Sequence, residues 1–286
     1  ALSLEPFYSR TTGVPIGIDV RNTTTGQVLR TVAAPQALTT VAASVDGRVL
    51  AALGQSVAPP AGAVPHGPPK SPGEGFVNNL VTGTRANLAL VPGPAGGGSG
   101  CMWVAAAVSP SDGLVAGADF CGLVAIWDAH TGRLRTTFTN SGEPSRIVFS
   151  PDGRELAVAS WDSTITIWDV QTRRVAHVLA GDTLGVDGVA YSPDGKLLAS
   201  ASLDDTARVW SPATGRLLRV WHEQQPVSSV AFSSDGSRIV TTDATGTISA
   251  WDACTACGDA KALLAIARTR VTRQLTPLER ATFLGR

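Results

Sequence analysis

The chain has 286 residues, with 23 Lys and Arg against 23 Asp and Glu, for a formal net charge of zero. That balance excludes both a nucleic-acid binder working through bulk positive charge and an acidic disordered chain. No apolar run reaches the roughly 18 residues of a membrane helix, so no direct membrane contact is expected, and thirty Gly with eighteen Pro imply many turns between short elements.

The chain opens at Ala1 without a leader and reads as a piece of something longer. In chain order, residues 4–10 and 15–21 are the first predicted strands, and Leu38–Ala43 runs into the turn Ser44-Val45-Asp46-Gly47. Residues 57–75 form a Pro/Gly-rich insertion, and residues 92–100 a second Gly/Pro spacer. From there the pattern becomes periodic. Trp127-Asp128, Trp168-Asp169, Trp210-Ser211 and Trp251-Asp252 recur at spacings of 41, 42 and 41 residues. About 18 residues before each pair comes a Ser-led Asp-Gly turn: Ser-Pro-Ser-Asp-Gly at 109–113, Ser-Pro-Asp-Gly at 150–153 and 192–195, and Ser-Ser-Asp-Gly at 233–236. Two independent markers with one period define a structural repeat.

Each period holds four apolar runs broken by turn chemistry, which is the pattern of strands and hairpins. In one repeat these are Ile147–Ser150, Glu155–Ser160, Thr164–Asp169 and Val175–Ala180. A single four-stranded sheet cannot bury both of its faces, whereas sheets stacked around an axis can, so a β-propeller is predicted. After Asp252 the pattern changes. Asp259 can cap a helix over about 260–272 with Leu263, Leu264, Ala267 and Val271 on one side, and Thr276-Pro277-Leu278-Glu279 reads as the start of a second. The expected division is a propeller over 1–252 and a CxxC-bearing helical tail over 253–286.

The Trp-Asp and Asp-Gly markers resemble those of the WD-repeat family over roughly residues 15–252. The resemblance implies strands a to d running outward from the axis, with Trp-Asp closing strand c. Further c-strand ends then fall near Arg21-Asn22 and Asn78-Asn79, which makes six blades. The first is incomplete, with its a and d strands not visible, and a seventh blade is the alternative. The helical tail resembles the endings of WD-repeat regions in actinobacterial signalling proteins, either STAND-type NTPases or Ser/Thr kinases.

Asp162 and Asp204 occupy the family's b–c turn position, where an Asp pairs with a His from the d–a loop. Here that His position holds Asp182 and Glu223, and Cys121 stands in the Asp position of its own repeat. Cys101 starts strand a beside the end of strand b, so a Cys101–Cys121 disulfide is expected in place of the lost network, with two buried thiols as the alternative. Cys254 and Cys257 form a lone CxxC. A local disulfide is expected there, against a metal half-site or a redox centre. The bridges would place the chain outside the cytoplasm and free thiols inside it, so the compartment stays open.

His66, His130, His177 and His222 share no face, and no metal or other cofactor is expected. The a-strands carry only Arg146 and Asp187 as charged residues, too few for an acid–base pair or an oxygen cage. With no phosphate-binding GxxxxGK[ST] loop either, the chain reads as a non-enzyme. Arg268, Arg270 and Arg273 read as the solvated side of the tail helix rather than as a nucleic-acid contact.

By the resemblance, the residue before the b–c turn Asp points up from the face where partners dock. Phe120, Trp161 and Leu203 hold that position in consecutive blades. The expected function is a non-catalytic interaction or sensor scaffold, a monomeric disc that binds protein on its b–c/d–a loop face. The alternatives are a propeller enzyme with a channel site at Asp187 and Arg146, and a module switched through Cys254 and Cys257.

Overall fold

The computed structural model describes residues 2–8, 15–22, 25–33, 38–44, 47–54, 75–80, 82–89, 101–110 and 113–253. Their regular structure is entirely β, in six antiparallel sheets. The first sheet joins β1 (Leu2–Tyr8), β2 (Pro15–Asn22) and β3 (Val28–Ala33). The second joins β4 (Leu38–Ala43), β5 (Val49–Gly54), β6 (Gly75–Asn79) and β7 (Arg85–Asn87). In the third are β8 (Trp103–Val108), β9 (Leu114–Asp119), β10 (Leu123–Asp128) and β11 (Leu134–Thr139). The fourth holds β12 (Pro144–Phe149), β13 (Glu155–Ser160), β14 (Thr164–Asp169) and β15 (Arg174–Ala180). The fifth holds β16 (Val186–Tyr191), β17 (Leu198–Ser202), β18 (Thr206–Ser211) and β19 (Arg216–His222). The sixth is β20 (Val227–Phe232), β21 (Arg238–Asp243) and β22 (Ile248–Asp252).

These are the blades of a β-propeller. The first blade corrects one expectation. It has a d strand, β3, and its first strand covers 2–8 rather than 4–10. The predicted a strand Leu38–Ala43 and the Trp-bearing c strand Thr164–Asp169 match the structure, whereas the a strand expected at Ile147–Ser150 is observed at Pro144–Phe149. The predicted tail helices, and nearly all of the insertion at 57–75, lie outside the described residues.

Turns set the strand lengths. At the corners of the fourth, fifth and sixth blades the Ser accepts a hydrogen bond from the first amide of strand b or the residue before it. Ser150 Oγ takes Glu155 N at 2.9 Å and donates to Asp152 at 2.6 Å. Ser192 and Ser233 repeat this with Asp194 and Asp235. Gly153, Gly195 and Gly236 close these turns at φ of 74°, 72° and 71°, a region that glycine enters without steric cost. A bulge also recurs where strand a begins to pair with b, at Leu38/Thr40, Trp103/Ala105, Pro144/Arg146, Val186/Gly188 and Val227/Ser229. A bulge bends its strand and sharpens the local twist.

The core lies between blades. Five clusters of buried apolar residues each bridge two consecutive sheets, from Ile18, Val20 and Phe76 at the first interface to Val209, Trp221 and Ile239 at the last. Ile248 lies on the face of the sixth blade opposite Ser249 and Trp251 and is 71% exposed. Gly117 shows how closely the blades approach: a Cβ there would meet Leu53 of the preceding blade at 2.5 Å and Trp127 and Trp103 at 3.1 and 3.2 Å. These two indoles pack edge to face at 5.4 Å. Gly117→Val should therefore lower unfolding free energy by about 1–3 kcal/mol in chemical denaturation, the range for overpacking a filled core; an unchanged midpoint would contradict this packing.

Candidate interaction site

The b–c turns and d–a loops emerge at one end of the sheets, and one backbone contact fixes how each b–c turn presents its first residue. The amide after strand b donates to the carbonyl just before strand a: Phe120 to Met102 at 2.9 Å, Trp161 to Glu143 at 2.9 Å, and Leu203 to Gly185 at 3.0 Å. Ala244 does the same to Pro226 in the sixth blade. Phe120 is 45% exposed and Trp161 44%, while Leu203 is half-buried. The Trp161 ring reaches across to the next blade, where a Cβ on Gly185 would meet it at 2.7 Å. Leu184 beside that glycine is 53% exposed, and Met102 is exposed next to Phe120. The three expected anchors thus hold equivalent positions in three consecutive blades, joined by two apolar residues that sequence reasoning did not single out.

Two kinds of brace hold this turn: an Asp ending strand b in the third and sixth blades, and an Asp within the turn in the fourth and fifth. In the third, Asp119 Oδ1 accepts the amides of Cys121 and Leu123 at 2.9 Å each, and Cys121 is disulfide-bonded to Cys101 with Cα atoms 5.7 Å apart. By loop length, a bridge of separation 20 contributes about 3 kcal/mol in the chain-entropy account. In the fourth, Asp162 accepts from the amide and hydroxyl of Thr164. In the sixth, Asp243 accepts from Thr245 and Thr247. Cys254 and Cys257 lie outside the described residues.

The fifth blade carries a buried charge cluster. Arg208, on β18, donates to Asp182 in the d–a loop and to Asp204 in the b–c turn, with side-chain exposures of 9%, 1% and 5%. Thr183 ties the loop to the turn, its amide reaching Asp204 at 2.8 Å. Asp204 keeps its charge: burial opposes this, but hydrogen bonds from Thr206 and Thr183 and the charge of Arg208 hold its carboxyl low. Asp182 goes the other way. Burial pushes it up to about 6, Asp204 adds to the rise, and Arg208 opposes it.

The indole N–H groups are satisfied blade by blade. Trp210 donates to Ser200 at 3.0 Å. Trp251 donates to Thr241 and Glu223, both at 3.1 Å, with Glu223 also accepting from Thr241 and Ser249. Gly117 and Val158 offer no hydroxyl at this position, so Trp127 donates to the Ala89 carbonyl at 2.9 Å and Trp168 makes a long contact to Asn140 at 3.5 Å. At the opposite end, Asp128 and Asp169 cap the c–d turns by accepting amides of Thr131 and Thr172. Asp252, in the same position, ends β22.

No group of three or more His, Cys, Asp or Glu able to hold a metal ion occurs among the described residues. Arg146 and Asp187 belong to neighbouring a strands, β12 and β16, with no hydrogen bond or ion pair joining them. His130 lies in a c–d turn, His177 on β15 and His222 at the end of β19, while His66 is outside the described residues.

Sheets of this order, with Trp closing strand c and Asp-Gly turning a into b, define a repeat-built propeller. The sequence matches the family described as WD domain, G-beta repeat over residues 132–169, 173–211 and 215–252. Each matched unit runs d-a-b-c, one strand out of step with a blade, so it ties each sheet covalently to the next. These three repeats support a WD-repeat family, whose domains generally bind protein partners and are typically non-catalytic scaffolds. A search of the curated proteins finds no match to this chain.

Arg208→Met would leave two carboxylates buried without their cation and should cost about 3–5 kcal/mol of stability by chemical denaturation. The pH dependence has a definite sign. Between pH 3.8 and about 6 the folded state holds a proton on Asp182 that the unfolded state has lost, so stability should fall as pH rises through that window and level off above it. Asp152 and Asp194, held low by hydrogen bonds from Ser150 and Ser192, contribute stability that is lost only below that window. Asp182→Asn should remove the fall between pH 4 and 6; a slope there equal to the parent's would refute the assignment.

Proposed function

We propose that this chain is a non-catalytic protein-interaction scaffold that works as a monomeric disc and docks its partner on the b–c/d–a loop face. The observation that carries the reading is the apolar patch of Phe120, Trp161 and Leu203, presented by one repeated backbone contact and extended by Leu184 and Met102. Large apolar groups on a rigid frame are the usual composition of interface hot spots. Rigidity matters because a loop already held in place loses little entropy on binding. Here the frame is the disulfide behind Phe120 and the Arg208 cluster behind Leu203.

The capping pattern expected from the sequence after Asp252 and the WD pattern together support a place in a larger bacterial signalling protein of the STAND NTPase or Ser/Thr kinase kind. The Cys101–Cys121 bridge supports an oxidising compartment for this part of it. The enzyme alternative draws no support from Arg146 and Asp187, which make no hydrogen bond or ion pair with each other.

The test is side-by-side affinity capture from the source organism with the parent chain and the Phe120→Ala/Trp161→Ala/Leu203→Ala variant. The variant should keep the parent's far-ultraviolet circular dichroism. It should lose the specific partner, each aromatic contributing about 2 kcal/mol or more. Equal capture by a folded variant would remove the site.

A further inference from the structure

Resting on that docking reading, we infer that the partner segment is cationic: a stretch of polypeptide with Lys or Arg flanking a bulky apolar side chain. Charge is distributed unevenly between the two ends of the propeller. Between Cys101 and Thr247 the loop face carries Glu143, Asp162, Asp187, Asp205 and Glu223, none in an ion pair with any described residue. Only two arginines stand against them, Arg146 and Arg208, and the charge of Arg208 is already shared by Asp182 and Asp204. The remaining Lys and Arg of these blades lie at the opposite end or on the outer strands. At the opposite end three of the turn carboxylates are matched at close range, Asp128 by Arg135, Asp152 by Arg154 and Asp194 by Lys196, while Asp169 and Asp235 are held by turn hydrogen bonds. Among the described residues of 101–247, negative charge without an ion-pair partner is therefore concentrated at the loop face, while acids and bases at the opposite end come close to balance.

The unpaired carboxylates surround the apolar patch. Glu143 supplies the carbonyl that holds Trp161, Asp162 follows Trp161, and Asp205 lies two residues beyond Leu203. An interface built this way takes an apolar anchor at its centre and complementary charge at its rim, the rim setting selectivity and on-rate. Negative potential repels nucleic acid and anionic membrane surfaces, which leaves a basic polypeptide as the fitting occupant. The patch spans three consecutive blades, so an extended segment is needed to reach all of it.

The test is a selection of a phage-displayed random dodecapeptide library on the immobilised full chain. The recovered pool should be enriched in Lys and Arg around one large apolar residue, with mean charge at least two units above the starting library. A neutral or acidic pool, or no enrichment, overturns the proposal. A synthetic peptide of the leading sequence should bind the Glu143→Gln/Asp187→Asn/Asp205→Asn variant at least tenfold more weakly. None of these three side chains makes a hydrogen bond, so the variant should melt with the parent; undiminished affinity overturns the charge assignment.

The Phe120→Ala/Trp161→Ala variant separates this proposal from the reading beneath it. Binding lost in that variant but indifferent to the carboxylates removes the cationic partner and leaves the docking patch. Cationic peptides that ignore Phe120 and Trp161 remove the docking patch itself.

Discussion

The structure depends on the burial of sheet faces against one another. A four-stranded sheet of six-residue strands has no interior of its own, and each one here finds its interior in the next. The clusters that join Trp103 and Trp127 to Leu53, or Trp210 to Leu179 and Ile165, belong to no single sheet. Stability is then a sum over interfaces between neighbours. The d-a-b-c phase of the matched repeats crosses each of these interfaces in the chain itself, so neighbouring sheets are linked by both packing and covalent connection.

The same burial makes the polar groups within the sheets demanding. An indole N–H taken out of water must find an acceptor, and leaving it without one costs the desolvation of that donor. The four tryptophans of the c strands answer this in four ways, through Ala89, Asn140, Ser200, and Thr241 with Glu223. Arg208 is the extreme case, a full charge in the position of a strand residue. It is tolerated because two carboxylates and the Thr206 hydroxyl meet it. Breaking such a cluster is expensive even where forming it contributes little.

This explains what the sequence disclosed and what it hid. The a strands and the Trp-bearing c strands were legible because they sit at or near the axis and bury residues at fixed offsets from Asp-Gly and Trp-Asp. β3 went unread because only Val32 of its six residues is buried and, unlike the equally exposed β15, no Trp-Asp marker precedes it to fix its place in the repeat. The Cys101–Cys121 pairing was legible because antiparallel neighbours bring the start of a and the end of b together. The Arg208 cluster was half-legible. Asp182 and Asp204 stood out as departures from the family's positions, but Arg208 looked like an ordinary strand residue two before Trp210. The signal was there, a lone cation in the otherwise apolar or small run Thr206–Ser211, opposite two acidic loop positions. Leu184 and Met102 were not legible, because loop residues carry no periodicity from which exposure can be read.

Charge separation between the two ends follows from how the turns are made. At the a–b and c–d corners the carboxylates are part of the turn: Asp152, Asp194 and Asp235 each accept a serine hydroxyl, and Asp128 accepts the amide of Thr131. Their charge is spent on closing hairpins, and basic neighbours such as Arg154 and Lys196 lie beside them. At the other end the corners of the third and fourth blades close on Asp119 and Asp162, leaving Glu143 free, and the fifth closes on Asp204, leaving Asp205. One acid per turn is structural there and the next is surplus. A surplus that recurs in adjacent blades adds up to a field, because the rigid sheets hold these charges at fixed places on one face instead of letting them disperse.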